Sequence, residues 1–257
     1  YETFGYVRRM PKWNTENAAA REYLLGVAEF WVRECDIDGW RLDVAGEVSF
    51  DFWREFSARL RALKRGFYIT GEIWHDASRW INAGYFDAVM QYPLVGIILE
   101  CFVAKTLAPP DFTARLFRLL ARLPAASGRV AFNLLDSHDT SRVLTQAAGD
   151  KQALKNAFTM LFLLPGSPCL YYGTEAGLAG GGDPDCRRPM LWQPDERDED
   201  LFGFFKRLIA LRKERISLIN NSVIHYSQSG AVHVWDFTNG PETIRAVYDG
   251  AILEVET

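Results

Sequence analysis

The chain has 257 residues, room for one large domain or one domain plus a fragment at roughly 150 residues per domain. Its 29 Lys+Arg against 33 Asp+Glu give a net charge of −4, which excludes the basic stripe of a typical nucleic-acid binder. A content of 48% hydrophobic and 24% charged residues excludes disordered and collagen-like classes, and no apolar run reaches the ~18 residues of a membrane span.

In chain order, residues 17–34 are predicted helical, because Leu24, Val27 and Trp31 recur at spacings of three and four. A short apolar run at 37–44 reads as a first strand with charged residues near its end. Residues 50–64 again have helical period, stopped by Gly66. Runs at 67–73 and 86–92 are the second and third strand candidates. A helix at 111–123 is closed by Pro124, and a fourth strand is expected at 130–135. A helix at 151–164 ends at Pro165, and a fifth strand is expected at 168–172. A glycine-rich loop spans 177–182. It lacks the Gly-Lys-Ser/Thr of a phosphate loop. Asp198 should cap a long amphipathic helix carrying Leu201, Phe204, Phe205, Leu208 and Leu211 on one face. From about residue 220 the pattern becomes short strands, at 223–226, 232–237 and 244–247, with Asn239-Gly240 as a hairpin signal. Alternating strands and helices followed by strands alone predict a parallel β/α architecture and then an all-β module.

The four cysteines, Cys35, Cys101, Cys169 and Cys186, show no CxxC spacing, so zinc and redox-motif readings are weak. They read as buried free thiols in a reducing compartment, which points to a cytoplasmic protein. Aromatic residues make up 14% of the chain, with eight Trp. Such an excess suits a carbohydrate or ligand site as well as a core. The first residue is Tyr1, with no start methionine or signal peptide, and the opening residues are expected to be the interior of something longer.

Charged residues collect at the C-terminal ends of the strand candidates, where a β/α barrel carries its reactive groups. The first strand ends with Arg41 and Asp43, the second with Glu72, and the fourth is followed by Ser137-His138-Asp139. The three carboxylates Asp43, Glu72 and Asp139 are therefore expected to converge on one pocket. Arg41 and Asp43 are two apart on a strand and share a face, so the guanidinium favours the ionised carboxylate, which suits a nucleophile. Glu72, next to apolar Ile73 and Trp74, is expected in a less polar setting that suits a general acid. A retaining glycosidase needs one carboxyl of each kind about 5 Å apart, and adjacent strands lie about 4.8 Å apart.

These residues carry a resemblance. GWRLDV, GEIW and SHD, in that order, resemble three signature regions of the α-amylase superfamily of glycoside hydrolases. Residues 10–14 (MPKWN) resemble the MPKLN segment of its neopullulanase, cyclomaltodextrinase and maltogenic amylase group. Residues 166–175 fit the superfamily's final barrel-strand region, and 183–190 are similar to that group's following loop. The resemblance implies an α/β fold: a partial (β/α)8 TIM barrel, about strands 4 to 8, over residues 1–219. Residues 220–257 would then begin a C-terminal all-β domain. It implies Asp43 as nucleophile, Glu72 as acid/base and Asp139 as the carboxylate that binds sugar hydroxyls and stabilises the transition state. Arg41 would orient Asp43, and His138 would bond the same sugar. Asp183 and Arg187 would grip the glucose further along the non-reducing side. Trp74 and His75 would face the leaving group, and Glu47 would line the acceptor side. Tyr172 is expected as a sugar platform, and Trp40 is expected to join Trp74 and Tyr172 around the glucan. The substrates implied are α-glucan oligosaccharides, with no nucleic-acid or membrane partner and a homodimeric full-length parent. No cofactor is required, and any calcium would be held upstream.

The sequence departs from the group at Gly46 (usually Asn), at Ser49-Phe50 (usually Asp-His) and at Trp13 (usually Leu). These departures bear on specificity more than on reaction type. Other readings remain open at the sequence level. The carboxylates could hold a metal, which Arg41 opposes by charge. Glu47 could be an ordinary helix-start acid, Asp183 and Arg187 could simply pair with each other, and Trp74 and Tyr172 could be core aromatics. The whole chain could be a non-enzymatic α-amylase-like partner of a transporter, or an inactive fragment of the hydrolase.

Overall fold

A computed structural model describes all residues, 1–257, as two compact units, Tyr1–Met90 and Gln91–Thr257.

In the first unit, Asn17 caps helix α1 (Ala18–Cys35) by accepting from the Ala20 N–H at 3.1 Å. Leu25, Ala28 and Val32 form its buried stripe, and Asp36 ends it in the left-handed region. Strand β1 (Gly39–Leu42) follows, then helix α2 (Phe50–Leu63), strand β2 (Tyr68–Gly71), the short helix α3 (Ser78–Asn82) and strand β3 (Ala88–Val89). The three strands pair in parallel in the order β1-β2-β3. Gly39 is required at the first pairing position, because a Cβ there would lie 2.5 Å from the Tyr68 carbonyl oxygen. The Ser49-Phe50 departure has a structural use. Ser49 caps α2 by accepting from the Phe52 N–H, and the Phe50 ring stacks on Trp80 at 5.0 Å with the Arg79 guanidinium 3.8 Å from its centre.

The second unit opens with helices α4 (Tyr92–Phe102), α5 (Pro109–Leu120) and α6 (Ala125–Val130). Strand β4 (Phe132–Asn133), helices α7 (Val143–Gln146) and α8 (Lys151–Leu163) and strand β5 (Ser167–Pro168) come next, with β4 and β5 parallel. Helices α9 (Glu199–Glu214) and α10 (Ile216–Asn221) lead into an antiparallel sheet β6-β7-β8-β9 (Val223–Ser229, Val232–Asn239, Glu242–Tyr248, Leu253–Glu256). Asp150 caps α8, and Asp198 caps α9 as expected. Helix α8 is buried from Asn156 through Leu163, so its polar residues must be satisfied inside. The Asn156 amide does this by donating to Ala251 O at 2.7 Å and accepting from Leu253 N–H at 3.0 Å, which ties α8 to the sheet. Arg212 of α9, itself buried, donates to Phe162 O and Leu164 O at 2.9 Å, and also to Gly166 O, so it closes the C-terminal carbonyls of α8. Trp235 and Phe237 of β7 pack with Phe102, Phe112 and Phe158 in one core, and the Trp235 indole donates to Thr113 Oγ1 at 2.8 Å.

Several expectations need correction. Helix α4 was not expected, and it begins at Tyr92, the last residue of the third strand candidate. Pro93 near its N-terminus suits the first turn of a helix. The parallel strands are shorter than their apolar runs, the antiparallel ones run longer than expected, and a fourth sheet strand, β9, was not expected. The β7–β8 turn has Gly240-Pro241 at its centre, one residue later than Asn239-Gly240, with Asn239 paired to Glu242. Gly240 takes the positive φ of 61° that the first central position of a type II′ turn requires. Cys101 and Cys186 are buried, but Cys35 is exposed and Cys169 half-buried. No helix is long and apolar enough to cross a membrane.

Candidate active site

In the first unit the chain leaves β1 through Asp43 and Val44. Val44 sits in the left-handed region with φ of 45°, an unfavourable conformation for a β-branched residue. That turn aims the Val44 N–H at Glu72 Oε2, 3.0 Å away. Arg41 lies between the two carboxyls. Its Nη1 donates to Asp43 Oδ1, its Nη2 is 3.2 Å from Glu72 Oε2, and its Nε points at the Met90 sulfur at 3.5 Å. The Trp74 indole donates to Glu72 Oε1 at 3.1 Å. The two acids differ sharply in burial: side-chain exposure is 69% for Asp43 and 5% for Glu72. Glu72 is thus buried, as the sequence suggests, but ringed by donors rather than by apolar groups.

His75 is exposed, with Nδ1 3.2 Å from Asp76 O and its ring 5.7 Å from Trp80. Trp74 is 51% exposed, so it is no core aromatic. Glu47 is taken up by a local clamp. Lys12 Nζ is 2.8 Å from Oε2, and Gly5 N–H donates to both carboxylate oxygens at 3.1 and 3.2 Å. The Lys12 contact holds the Glu47 carboxyl below its ordinary value. Trp40 is on the wrong face for a sugar. Side chains alternate along a strand, so Trp40 points away from Arg41 into an apolar groove with Leu24, Val27, Phe52 and Phe56.

The second unit holds the other cluster. The loop after β4 carries Asp136, Ser137, His138 and Asp139. His138 Nε2 is 3.1 Å from Asp139 Oδ2, and Arg187 Nη2 is 3.3 Å from Asp139 Oδ1. Arg187 Nε also donates to Asp183 Oδ1 at 2.5 Å. Asp183 and Arg187 therefore do pair, and the pair reaches on to Asp139. Tyr172 is 40% exposed with its hydroxyl donating to Arg188 O at 2.8 Å.

Sequence reasoning missed what holds this loop. Arg142 has no exposed surface, yet its guanidinium donates to Tyr172 O and, at 2.9 Å, to Cys186 O, and it lies 4.0 Å from the Tyr171 ring centre. It links the Asp139 loop to the Asp183–Arg187 loop. Asp136 is also buried, accepting from Val143 N–H at 3.1 Å and Thr174 Oγ1 at 3.0 Å. Burial pushes its carboxyl up to about 6 despite those donors and Arg142. A charged residue in a polar loop normally reads as solvated, so neither had a signal. No group of three or more His, Cys, Asp or Glu side chains is placed to hold a metal ion.

Residues 1–221 match the family described as the α-amylase catalytic domain. The chain belongs to the α-amylase family. A relative, the cyclomaltodextrinase of Geobacillus thermopakistaniensis (strain MAS1), is 45% identical over 249 residues, 96% of this chain and 42% of the relative. Neopullulanase 2 of Thermoactinomyces vulgaris is 41% identical over 254 residues, 98% of this chain and 43% of the relative. The solved structure of a cyclomaltodextrinase superposes with a TM-score of 0.91 at 42% identity, covering 96% of this chain and 43% of that one. The chain thus spans about two fifths of the length of these α-amylase relatives. The fold is of the family's TIM-barrel type, with an all-antiparallel sheet at the C-terminal end.

Proposed function

We propose that this chain supplies the reacting carboxylates of a retaining glycoside hydrolase. Its substrates are the α-1,4 glucosidic bonds of maltodextrins, cyclodextrins or pullulan, with α-1,6 cleavage and transglycosylation as side activities. The observation that carries this reading is the single guanidinium of Arg41 placed on both Asp43 and Glu72, at the ends of neighbouring parallel strands. Exposed Asp43 is open to a sugar and is held in place by Arg41, as suits a nucleophile. Buried Glu72 is the acid/base. Its Oε2 already accepts from Val44 and faces Arg41, so the transferable proton belongs on Oε1, beside Trp74.

In the first step Asp43 attacks the anomeric carbon while Glu72 gives its proton to the departing glycosidic oxygen. A glycosyl ester forms on Asp43 and the shortened glucan leaves. In the second step the Glu72 carboxylate takes a proton from water, whose oxygen attacks the same carbon and frees Asp43. Two inversions leave the anomer unchanged. Asp139 and His138 bind hydroxyls of the reacting sugar, and Asp183 and Arg187 hold the next glucose. Residues 1–219 form about strands 4 to 8 of an eight-stranded barrel and residues 220–257 begin the β domain, so the complete cleft belongs to a longer parent. The parallel pairs β1-β2-β3 and β4-β5 and the length of the relatives support this.

The test is the anomer first released from maltotriose by the full-length parent, followed by proton NMR. An α product that disappears in Asp43→Asn supports the reading. A β product, or unchanged turnover in Asp43→Asn, overturns it.

A further inference from the structure

In the second unit Cys186 is fully buried in the single turn Asp185–Arg187, and none of the roles above uses its thiol. The thiol donates to the carbonyl oxygen of His138 at 3.2 Å. That carbonyl belongs to the peptide bond leading into Asp139. Cys186 in turn immediately precedes Arg187, whose Nη2 is 3.3 Å from Asp139 Oδ1. One buried contact therefore joins the two loops a single residue away from where their side chains meet. The Arg187–Asp139 contact is itself half in water, with side-chain exposures of 45% and 32%, so it is too weak to set the spacing of the loops alone. The turn is also held from its other side. The Cys186 carbonyl accepts from buried Arg142 Nε at 2.9 Å, and the Arg142 N–H donates to Gly180 O at 3.0 Å. Gly180 lies so close that a Cβ on it would be 2.9 Å from Cys186 Cα and 2.5 Å from Asp185 O.

We propose that Cys186 is a positioning residue for Asp139 and Arg187, its thiol setting the spacing of the His138–Asp139 and Asp183–Arg187 loops. Its consequence for turnover rests on the hydrolase reading above. The competing role is that of a small apolar filler, the usual state of a buried free cysteine. The two roles rank substitutions in opposite order. A filler site accepts alanine and resists the hydroxyl of serine, because an apolar space penalises a polar group. A donor site is emptied by alanine and kept by serine, whose O–H can still reach toward the His138 carbonyl.

The test uses the full-length parent with Cys186→Ala and Cys186→Ser, assayed on maltotriose well below the melting temperature of each. Cys186→Val, which fills the site without a donor, replaces the alanine variant should that one not fold. Cys186→Ala is expected to lower kcat/KM about tenfold through misplacement of Asp139 and Arg187, and Cys186→Ser should recover most of that loss. In an Arg187→Lys background the same alanine change should cost less than about twofold, because the contact it positions is already altered. Unchanged activity in Cys186→Ala, serine no better than alanine, or an undiminished loss beside Arg187→Lys overturns the proposal. A crystal structure of Cys186→Ala decides independently of turnover. Arg187 and Asp139 more than about 4 Å apart supports the positioning role, and an unchanged contact overturns it. A parent that hydrolyses no maltotriose overturns the hydrolase reading, and the crystal comparison then decides the positioning role alone.

Discussion

Arg41 is the residue on which the first carboxylate pair depends, because one planar fork serves an exposed and a buried acid together. A lysine would bring a compact point charge in place of that planar fork, with donors that are not fixed in direction. Arg41→Lys in the full-length parent should lower kcat about 100-fold with a much smaller change in KM, read from initial rates on maltotriose. Asp136 gives a prediction in pH. Its folded carboxyl lies near 6 against an ordinary 3.8, so its stabilising contribution is complete below about 3.8 and is lost as pH rises through 6. Compared with non-titrating Asp136→Asn, the parent should lose up to about 3 kcal/mol of relative stability between about pH 4 and pH 7 in urea titrations. A pH-independent difference would contradict the assignment. At this scale the positions of Asp43 and Glu72 just past strand ends, and of Asp139 in the loop after β4, were legible from the apolar runs before them. Arg142 and Asp136 were not, because burial of a polar loop depends on distant segments. Trp40 was misplaced although alternation along β1 already put it opposite Arg41.

At the scale of elements, Arg212 holds open carbonyls of α8 from inside the core, where burial pushes its own value down to about 10. Arg212→Leu leaves those carbonyls without donors and should cost about 3 kcal/mol, measured by thermal melting. Val44 tests the turn. Val44→Gly relieves the left-handed strain and keeps the N–H to Glu72, so it should raise stability by about 1 kcal/mol or leave it unchanged. A clear loss would show that the valine side chain matters more than its backbone. Periodicity revealed α1, α2, α8 and α9, where apolar stripes and capping residues agree. It did not reveal α4, whose mostly apolar residues leave little polar face to set a period. It also overran the parallel strands, whose ends are set by their neighbours rather than by hydropathy.

At the scale of the molecule, β1 is paired on one side only, and α1 shows Tyr23, Phe30 and Trp31 between 43% and 63% exposed. An open strand edge beside exposed aromatics favours association with other chains. The 257-residue chain expressed alone should therefore elute as oligomers and hydrolyse no maltotriose. A catalytic monomer on light scattering would contradict the partial-barrel proposal. The order of strands and helices was legible at this scale, but which faces need a covering segment was clear only in the folded chain. The central claim is that Asp43 forms a covalent bond to sugar, and trapping that ester tests it most directly. Full-length Glu72→Gln protein treated with α-maltosyl fluoride should gain one maltosyl mass, located by peptide mass spectrometry on Asp43. A label on any other carboxylate, or none under conditions where the fluoride is consumed, would contradict the account.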